Sequence, residues 1–329
     1  MKRLHGARYP LAAVLLLLAC QPALAAGADE EEEQEPLTAR WSLAAATQVD
    51  QQSNRGAALA IGYAVAPTTA VRLSANSNAY SATQSNGFHS NGVEFAVGHD
   101  FSHISVSGAL GTWQASDILT ASEGKLGVDL RFKPWSIGLR GMYRRSSFDR
   151  VTVNQVITLP DGTMLPVANA VASCTLSNEG IGAHGEFAGE VWGAHATFMT
   201  YQYKNANCSY GKTTGLDALL HPSKDEFKQL ESVLVAQLAL IGVRPIGREN
   251  TLLSSEFNGG ASWKRNDLIV ALDFTRQAEY FTGGSSNTIA ATGTADLGHN
   301  SGVDVTIGLT RGHTVVNGAF VGFGFRAYF

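Results

Sequence analysis

The feature that most constrains this chain is the alternation of apolar with polar or very small residues along segments of about ten residues. One example is the segment 125–132, KLGVDLRF, in which leucine, valine, leucine and phenylalanine fill every second position. Successive side chains of a β-strand point to opposite faces, so this pattern predicts a strand with one oily face and one polar face. Ten residues are also about the length that a tilted strand needs to cross a bilayer.

The same alternation recurs from position 40 to the end of the chain and predicts about fourteen strands. The least clear segment is 286–297. Twelve strands are the alternative count, since thirteen would place the C-terminus on the wrong side. The predicted strands are 40–49, 55–65, 69–80, 91–101, 103–114, 124–133, 135–147, 177–188, 191–204, 252–264, 267–281, 286–297, 302–311 and 314–329.

The connections between these segments are alternately short and generally long. Short turns on one side and long loops on the other are typical of outer-membrane barrels, in which the long loops are extracellular. The sequence therefore predicts an all-β fold, a transmembrane antiparallel up-and-down β-barrel with long extracellular loops. The tight turns are 66–69, 101–103, 133–135, 188–192, 264–267 and 298–302, and the longer loops are 81–90, 115–123, 148–176, 205–251 and 282–286.

The N-terminal residues have the layout of a secretory signal peptide. A basic start is followed by the apolar stretch 11–19 and by the small residues Ala23 and Ala25 at a cleavage position. We predict a signal peptide over 1–25. A competing interpretation treats Cys20, after Leu-Leu-Ala, as the lipidated residue of a lipoprotein.

The remaining N-terminal residues, 26–39, contain an acidic run without periodicity and predict a flexible solvated tail before a barrel over 40–329. Cleavage would leave 21 of the 24 basic residues against 28 acidic ones. This balance argues against nucleic acid as a partner, because nucleic-acid binding requires clustered lysine and arginine. No stretch of the mature chain approaches 18 consecutive apolar residues, so the sequence does not predict a membrane protein built from helices.

Two of the long loops carry structure signals of their own. Loop 148–176 has β-rich runs around Asp161-Gly162, which predict a hairpin that prolongs the barrel wall. Loop 205–251 has a helix capping box at 223–226, followed by apolar residues at helical spacing up to Ile241. The helix predicted there would cap the mouth, enter the lumen, or pack on neighbouring loops.

Cys174 and Cys208 flank the hairpin of the strands 177–188 and 191–204. Counting from its turn places Cys174 opposite Asn207, one residue from Cys208. Two cysteines so close in an exported protein predict a disulfide that ties loop 148–176 to loop 205–251.

The polar faces of the strands carry charges of both signs in near balance. A charge facing lipid at mid-membrane would cost about 2 to 4 kcal/mol, so these residues are predicted to face the lumen. Lys125 and Asp100 belong to this face. The predicted lumen-lining set further contains Arg72, Glu94, Asp129, Arg131, Arg140, Arg144, His184, Glu186, His195, Glu256, Asp273, Asp304 and Arg326.

The last strand ends in a terminal aromatic residue with apolar residues at every second position before it. Val321, Phe323, Phe325 and Phe329 lie on one face of this strand. The pattern resembles the signal that the barrel-assembly machinery reads in outer-membrane proteins of Gram-negative bacteria. The resemblance implies outer-membrane location, with membrane lipid and that machinery as partners.

For function, the leading hypothesis is a porin-like passive channel for small polar solutes, since fourteen strands leave room for an aqueous path. The alternative is a surface structural, adhesive or receptor barrel that acts through its loops. No serine nucleophile has a suitable spacing, and His184, Glu186 and His195 are interpreted as ordinary lumen residues. We therefore expect no enzyme activity, no metal and no cofactor.

Overall fold

The structure is a computed structural model. It describes residues 40–51, 53–80, 88–115, 119–158, 164–204, 207–210, 253–280, 284–298, 300–312 and 318–329. The predicted signal peptide, acidic tail and loop helix lie outside these residues. The strands are β1 (Trp41–Asp50), β2 (Arg55–Ala66), β3 (Thr69–Tyr80), β4 (Phe88–Asp100), β5 (Ile104–Ala115), β6 (Leu119–Phe132), β7 (Trp135–Thr158), β8 (Met164–Ala188), β9 (Trp192–Tyr203), β10 (Asn207–Tyr210), β11 (Leu253–Arg265), β12 (Leu268–Glu279), β13 (Ser285–Gly298), β14 (Ser301–Gly312) and β15 (Gly318–Tyr328).

Fourteen of these strands form a closed antiparallel barrel. Each pairs with its neighbours in sequence, β9 pairs with β11 across the gap between them, and β1 pairs with β15. The short strand β10 is an extra edge that pairs with β8. The prediction of fourteen strands is confirmed and the twelve-strand alternative is wrong, because the uncertain segment 286–297 forms β13.

The seam between the first and last strands is fully hydrogen-bonded. Its register runs from Ser42 opposite Tyr328 to Asp50 opposite Phe320. At its end, the amide of Trp41 donates to the carbonyl of Phe329 at 2.9 Å, and the amide of Phe329 donates back at 2.8 Å. Closure leaves no free sheet edge in the wall. A β-sheet that spans a membrane must be closed, because lipid cannot hydrogen-bond the backbone groups of an open edge.

The two ends of the barrel differ as the sequence predicts. We call the end with the tight connections the turn end and the opposite end the loop end. β7 and β8, with 24 and 25 residues, are about twice as long as the other wall strands. Their pairing continues from Trp135–Phe187 to Thr158–Met164, which confirms the predicted hairpin in loop 148–176.

One predicted loop is wrong. The sequence predicts that 115–123 connects two strands, but β5 extends to Ala115 and β6 begins at Leu119, and these two residues are partners. The strands extend into this segment because the alternation of inward and outward residues continues toward the loop end. Its inward residues there are Leu119, Ala121 and Glu123, which are all buried. The polar residues between them face outward, above the apolar belt.

The outward face of the wall is apolar and exposed. Leu110 and Leu126 are each 70% exposed, and Ile181, Leu139 and Ile307 expose 60% or more of their surface. The buried side chains are mostly polar, the reverse of a water-soluble domain. A belt of this kind is stable only in hydrocarbon. In the part of the chain that the structure describes, no helix is long and apolar enough to span a membrane.

Placing a charge in the middle of the belt should destabilise the barrel. We expect Leu126→Arg to lower the free energy of unfolding by about 2 to 4 kcal/mol, because the guanidinium would face lipid. Urea titration of protein folded in liposomes measures this. Thr120→Arg is the matched control, because Thr120 lies on the same face of β6 but above the belt, opposite the neutral Ser147 and Gln114, and it should cost little. Equal losses would contradict the assigned position of the membrane.

The register also places the two cysteines opposite each other. Cys208 of β10 pairs with Cys174 of β8, and Asn207 pairs with Thr175, one residue from the predicted alignment. Directly opposite residues of antiparallel strands have Cα atoms about 4.5 to 5.5 Å apart, within the range of disulfides.

The disulfide itself stays a prediction. We expect a non-reduced protease digest of outer-membrane protein to contain a peptide that joins Cys174 to Cys208 and disappears on reduction. Recovery of both cysteines as free thiols from non-reduced, alkylated protein would contradict it. Cys174→Ser is the control for non-native pairing.

Candidate functional site

The lumen face is built from rows of directly paired residues. One row crosses neighbouring strands through Ser74, Glu94, Gly111, Glu123 and Arg144. The intervening positions carry the exposed apolar side chains, so this row faces inward. The row consists of small, polar and charged residues, which is the composition of a surface that lines water.

An ion network connects β4, β6 and β7. Lys125 Nζ lies 2.7 Å from Glu94 Oε2 and 2.8 Å from Glu123 Oε1. Arg144 donates to Glu123 Oε2 from Nη2 at 2.7 Å and from Nε at 3.0 Å. The side chain of Glu123 is 3% exposed, so its charge depends on these two cations.

Two further ion pairs lie closer to the turn end. Arg140 Nη1 is 2.9 Å from Asp129 Oδ1, and Arg131 Nη1 is 2.9 Å from Asp100 Oδ2. Arg140 and Asp129 are close enough to form an ion pair, but their atoms are not aligned for a hydrogen bond. Asp129 Oδ1 therefore receives no hydrogen bond. These pairs place equal numbers of both charges along the wall.

The remaining predicted arginines lie on other parts of the same face. Arg326 of β15 is 4.0 Å from Asp304 of β14, which also accepts a hydrogen bond from Thr294 at 2.5 Å. Arg72 of β3 lies opposite Gly62 and opposite an alanine of β4.

The two lumen histidines have separate partners. His184 Nδ1 shares a hydrogen bond of 2.8 Å with Thr197 Oγ1. His195 Nε2 is 3.0 Å from Asn258 Oδ1 and 3.4 Å from Asp273 Oδ1. Among the described residues, no group of three or more histidines, cysteines and carboxylates is arranged to hold a metal ion.

Three lumen carboxylates on β8, β11 and β12 have no arginine or lysine within ion-pair distance among the described residues. Glu186 lies 3.8 Å from the nearest histidine nitrogen, and Asp273 contacts the other histidine. Glu256 accepts hydrogen bonds from Tyr201 at 3.5 Å and Gln277 at 3.4 Å, both neutral donors. We call Glu186, Glu256 and Asp273 the acidic arc.

Glycines allow the large lumen side chains to lie against the wall. A Cβ atom on Gly127 would lie 3.0 Å from Arg140 Nη1, and one on Gly302 would lie 2.9 Å from Arg326 Nε. A Cβ on Gly180 would lie 2.8 Å from the ring of Tyr201. Each side chain therefore passes over a glycine of the next strand and lies against the wall.

The proposed assembly residues lie on the outward face of the closing strand. Phe323 is 58% exposed, Phe325 42% and Phe329 64%. Val321 shares that face and pairs with Val49 of β1. Recognition by the assembly machinery stays a prediction.

Sequence reasoning missed Glu123, the centre of the ion network, because it fell in a predicted loop. The signal was present, since Glu123 and Lys125 continue the same inward alternation. The neutral hydrogen-bonding partners Thr197, Asn258 and Gln277 were also missed, since an isolated polar residue in a strand gives no specific pattern.

No protein-family model and no curated protein matches the sequence. The CymD monoaromatic hydrocarbon channel resembles this chain with a TM-score of 0.50 at 6% identity, over 88% of each chain. Omp33 of Acinetobacter baumannii gives a TM-score of 0.46 at 6% identity, over 88% of this chain and 98% of its own. The KdgM porin gives 0.39 at 9% identity, over 88% of this chain and 99% of its own.

The chain has the fold of the outer-membrane β-barrels. Of these three structures, CymD reaches a TM-score of 0.5, and at 6% identity it shows the fold alone. The lumen chemistry of this barrel is therefore argued from its own residues.

Removing one member of the buried ion network should destabilise the barrel. We expect Arg144→Gln to lower the free energy of unfolding by about 3 kcal/mol, because it leaves Glu123 buried with one cation fewer. Glu123→Gln in the same chain should restore part of the loss. Urea titration in liposomes measures both.

The exposed pair of Glu179 and Lys204 is the control for this experiment, because its side chains are 53% and 62% exposed. Glu179→Gln should change the stability little. An Arg144→Gln barrel as stable as the Glu179→Gln barrel would show that the network is not a structural element.

Proposed function

We propose that the protein is a porin-like passive channel of the outer membrane that lets small polar solutes diffuse, and that it is not an enzyme. The observation that carries the proposal is the polar wall of a fourteen-stranded barrel. A barrel of eight strands is filled by its own side chains, whereas wider barrels enclose an aqueous space. With the long loops outside the cell, the turn end faces the periplasm.

The glycine positions support an open path. Arginine, aspartate and tyrosine side chains lie over glycines of the neighbouring strand and extend along the wall. CymD is described as a channel for monoaromatic hydrocarbons. The wall of this barrel instead carries ion pairs and hydroxyl groups, which favour polar solutes over hydrocarbons.

The charges of the wall support a weak preference for cations. Among the described lumen residues named below, the carboxylates outnumber the arginine and lysine side chains by two, and the three carboxylates of the acidic arc have no arginine or lysine within ion-pair distance. At about 10 Å in water, one charge changes the energy of a passing ion by about 0.4 kcal/mol, roughly a twofold change in its local concentration. The carboxylates are Glu94, Asp100, Glu123, Asp129, Glu186, Glu256, Asp273 and Asp304, and the cations are Arg72, Lys125, Arg131, Arg140, Arg144 and Arg326.

Conductance in planar bilayers tests the proposal. We expect steady ohmic steps and a reversal potential in a KCl gradient that favours K⁺ roughly twofold at neutral pH. Glu256→Gln with Asp273→Asn should move the permeability ratio toward or below one. Glu179→Gln is the control, because this exposed carboxylate lies on the outward face.

A folded barrel without conductance would contradict the channel. The alternative would then be favoured, a surface structural, adhesive or receptor barrel acting through its loops. The observation on its side is the β7–β8 hairpin, which extends well beyond the other wall strands. A conducting barrel whose ion preference is unchanged by the two substitutions would refute the role of the acidic arc.

A further inference from the structure

The outward face of the wall changes character sharply at the loop end. On β12, β13 and β14, the highest apolar row is formed by Phe274, Ile289 and Leu309, which are 37%, 53% and 56% exposed. The next outward row toward the loop end contains Arg276 and Arg311, with one asparagine between them. Two cations thus stand directly above the boundary of the hydrocarbon belt.

The register fixes the spacing of these two arginines. Arg276 is opposite Asn287, and Asn287 is opposite Arg311. Neighbouring strands are about 4.8 Å apart, so the two backbones are separated by about 10 Å. Arginine side chains on the two strands can reach toward one group that lies over Asn287, or each can bind its own group.

Both arginines are exposed, and no carboxylate pairs with either of them among the described residues. A guanidinium next to hydrocarbon is favourable when it reaches into an anionic head-group layer. Arginine also matches phosphate in particular, because its planar fork donates two parallel hydrogen bonds.

A second pair with the same spacing lies four strands away around the wall, centred on β8 instead of β13. Arg145 of β7 is opposite Ser177 of β8, whose carbonyl accepts a hydrogen bond from the amide of Lys204. There, however, the ammonium of Lys204 contacts the carboxylate of Glu179. With Arg55 on β2, the outward loop end thus has cations on several sides, although the chain as a whole is acidic.

We infer that Arg276, Asn287 and Arg311 form a binding site for the phosphate groups of a lipid head group in the leaflet around the loop end. In this site the guanidinium groups bind phosphate oxygens, the amide of Asn287 hydrogen-bonds between them, and the acyl chains lie on Phe274, Ile289 and Leu309. The site is on the outer wall and is independent of any passage through the lumen. The pair of Arg145 and Lys204 is the weaker counterpart, because one of its charges is already neutralised.

The test is native mass spectrometry of the full mature barrel in detergent, titrated with lipid A that carries two phosphates. We expect R276Q/R311Q to bind it about tenfold more weakly, since exposed charge-assisted hydrogen bonds are lost. Diacylglycerol, which carries no phosphate, should bind both proteins equally.

The matched control is R265Q, because Arg265 lies on the same face of the wall but at the turn end, opposite Leu268. This variant should bind lipid A as the unmodified barrel does. Heat-modifiable gel mobility confirms that each variant is folded.

Three results would overturn the inference. The first is that R276Q/R311Q binds lipid A as tightly as the unmodified barrel. The second is that R265Q weakens the binding of lipid A as much as R276Q/R311Q does. The third is that equimolar inorganic phosphate displaces the bound lipid A. The last result would identify a site for free phosphate instead of a lipid head group.

Discussion

Closure of the backbone hydrogen-bond network is the constraint on which the rest of this structure depends. A strand in hydrocarbon has no water to satisfy its amides, so every wall strand needs two neighbours. The seam between β1 and β15 supplies the last pair, and it ends in mutual hydrogen bonds of Trp41 and Phe329. Once the sheet is closed, the alternation of side chains must divide the protein into a lipid face and a lumen face.

The lumen face solves a second problem, which is how to hold many charges in a confined space. Lys125 and Arg144 surround Glu123, so the most buried carboxylate has the most direct compensation. Glycines beside the long side chains let them extend along the wall. At Glu256 the neutral donors Tyr201 and Gln277 hold the carboxylate instead of a cation.

The sequence predicted the fold well because a strand has a period of two, and a transmembrane strand shows that period in strongly contrasting residues. It predicted the inward orientation of Asp129 and Arg140 for the same reason, but not that they pair, since pairing depends on the register between strands. The loop assigned to 115–123 failed where the outward residues became polar above the belt and the contrast between the faces disappeared. The cysteine alignment differed by one residue, because counting from a turn does not fix the local register.

The central claim is that a polar, water-filled lumen lies behind an apolar wall. The most direct test is whether a water-soluble thiol reagent reaches every second position along one strand. Single cysteines at Val106, Ser107, Ala109 and Leu110 of β5, in a barrel with Cys174 and Cys208 replaced by serine, would be treated with a charged thiol reagent during conductance recording. We expect reaction and partial block at 107 and 109, and no block at 106 and 110, which face lipid. Protection of 107 and 109 in a folded barrel, or equal reaction at all four positions, would contradict the claim.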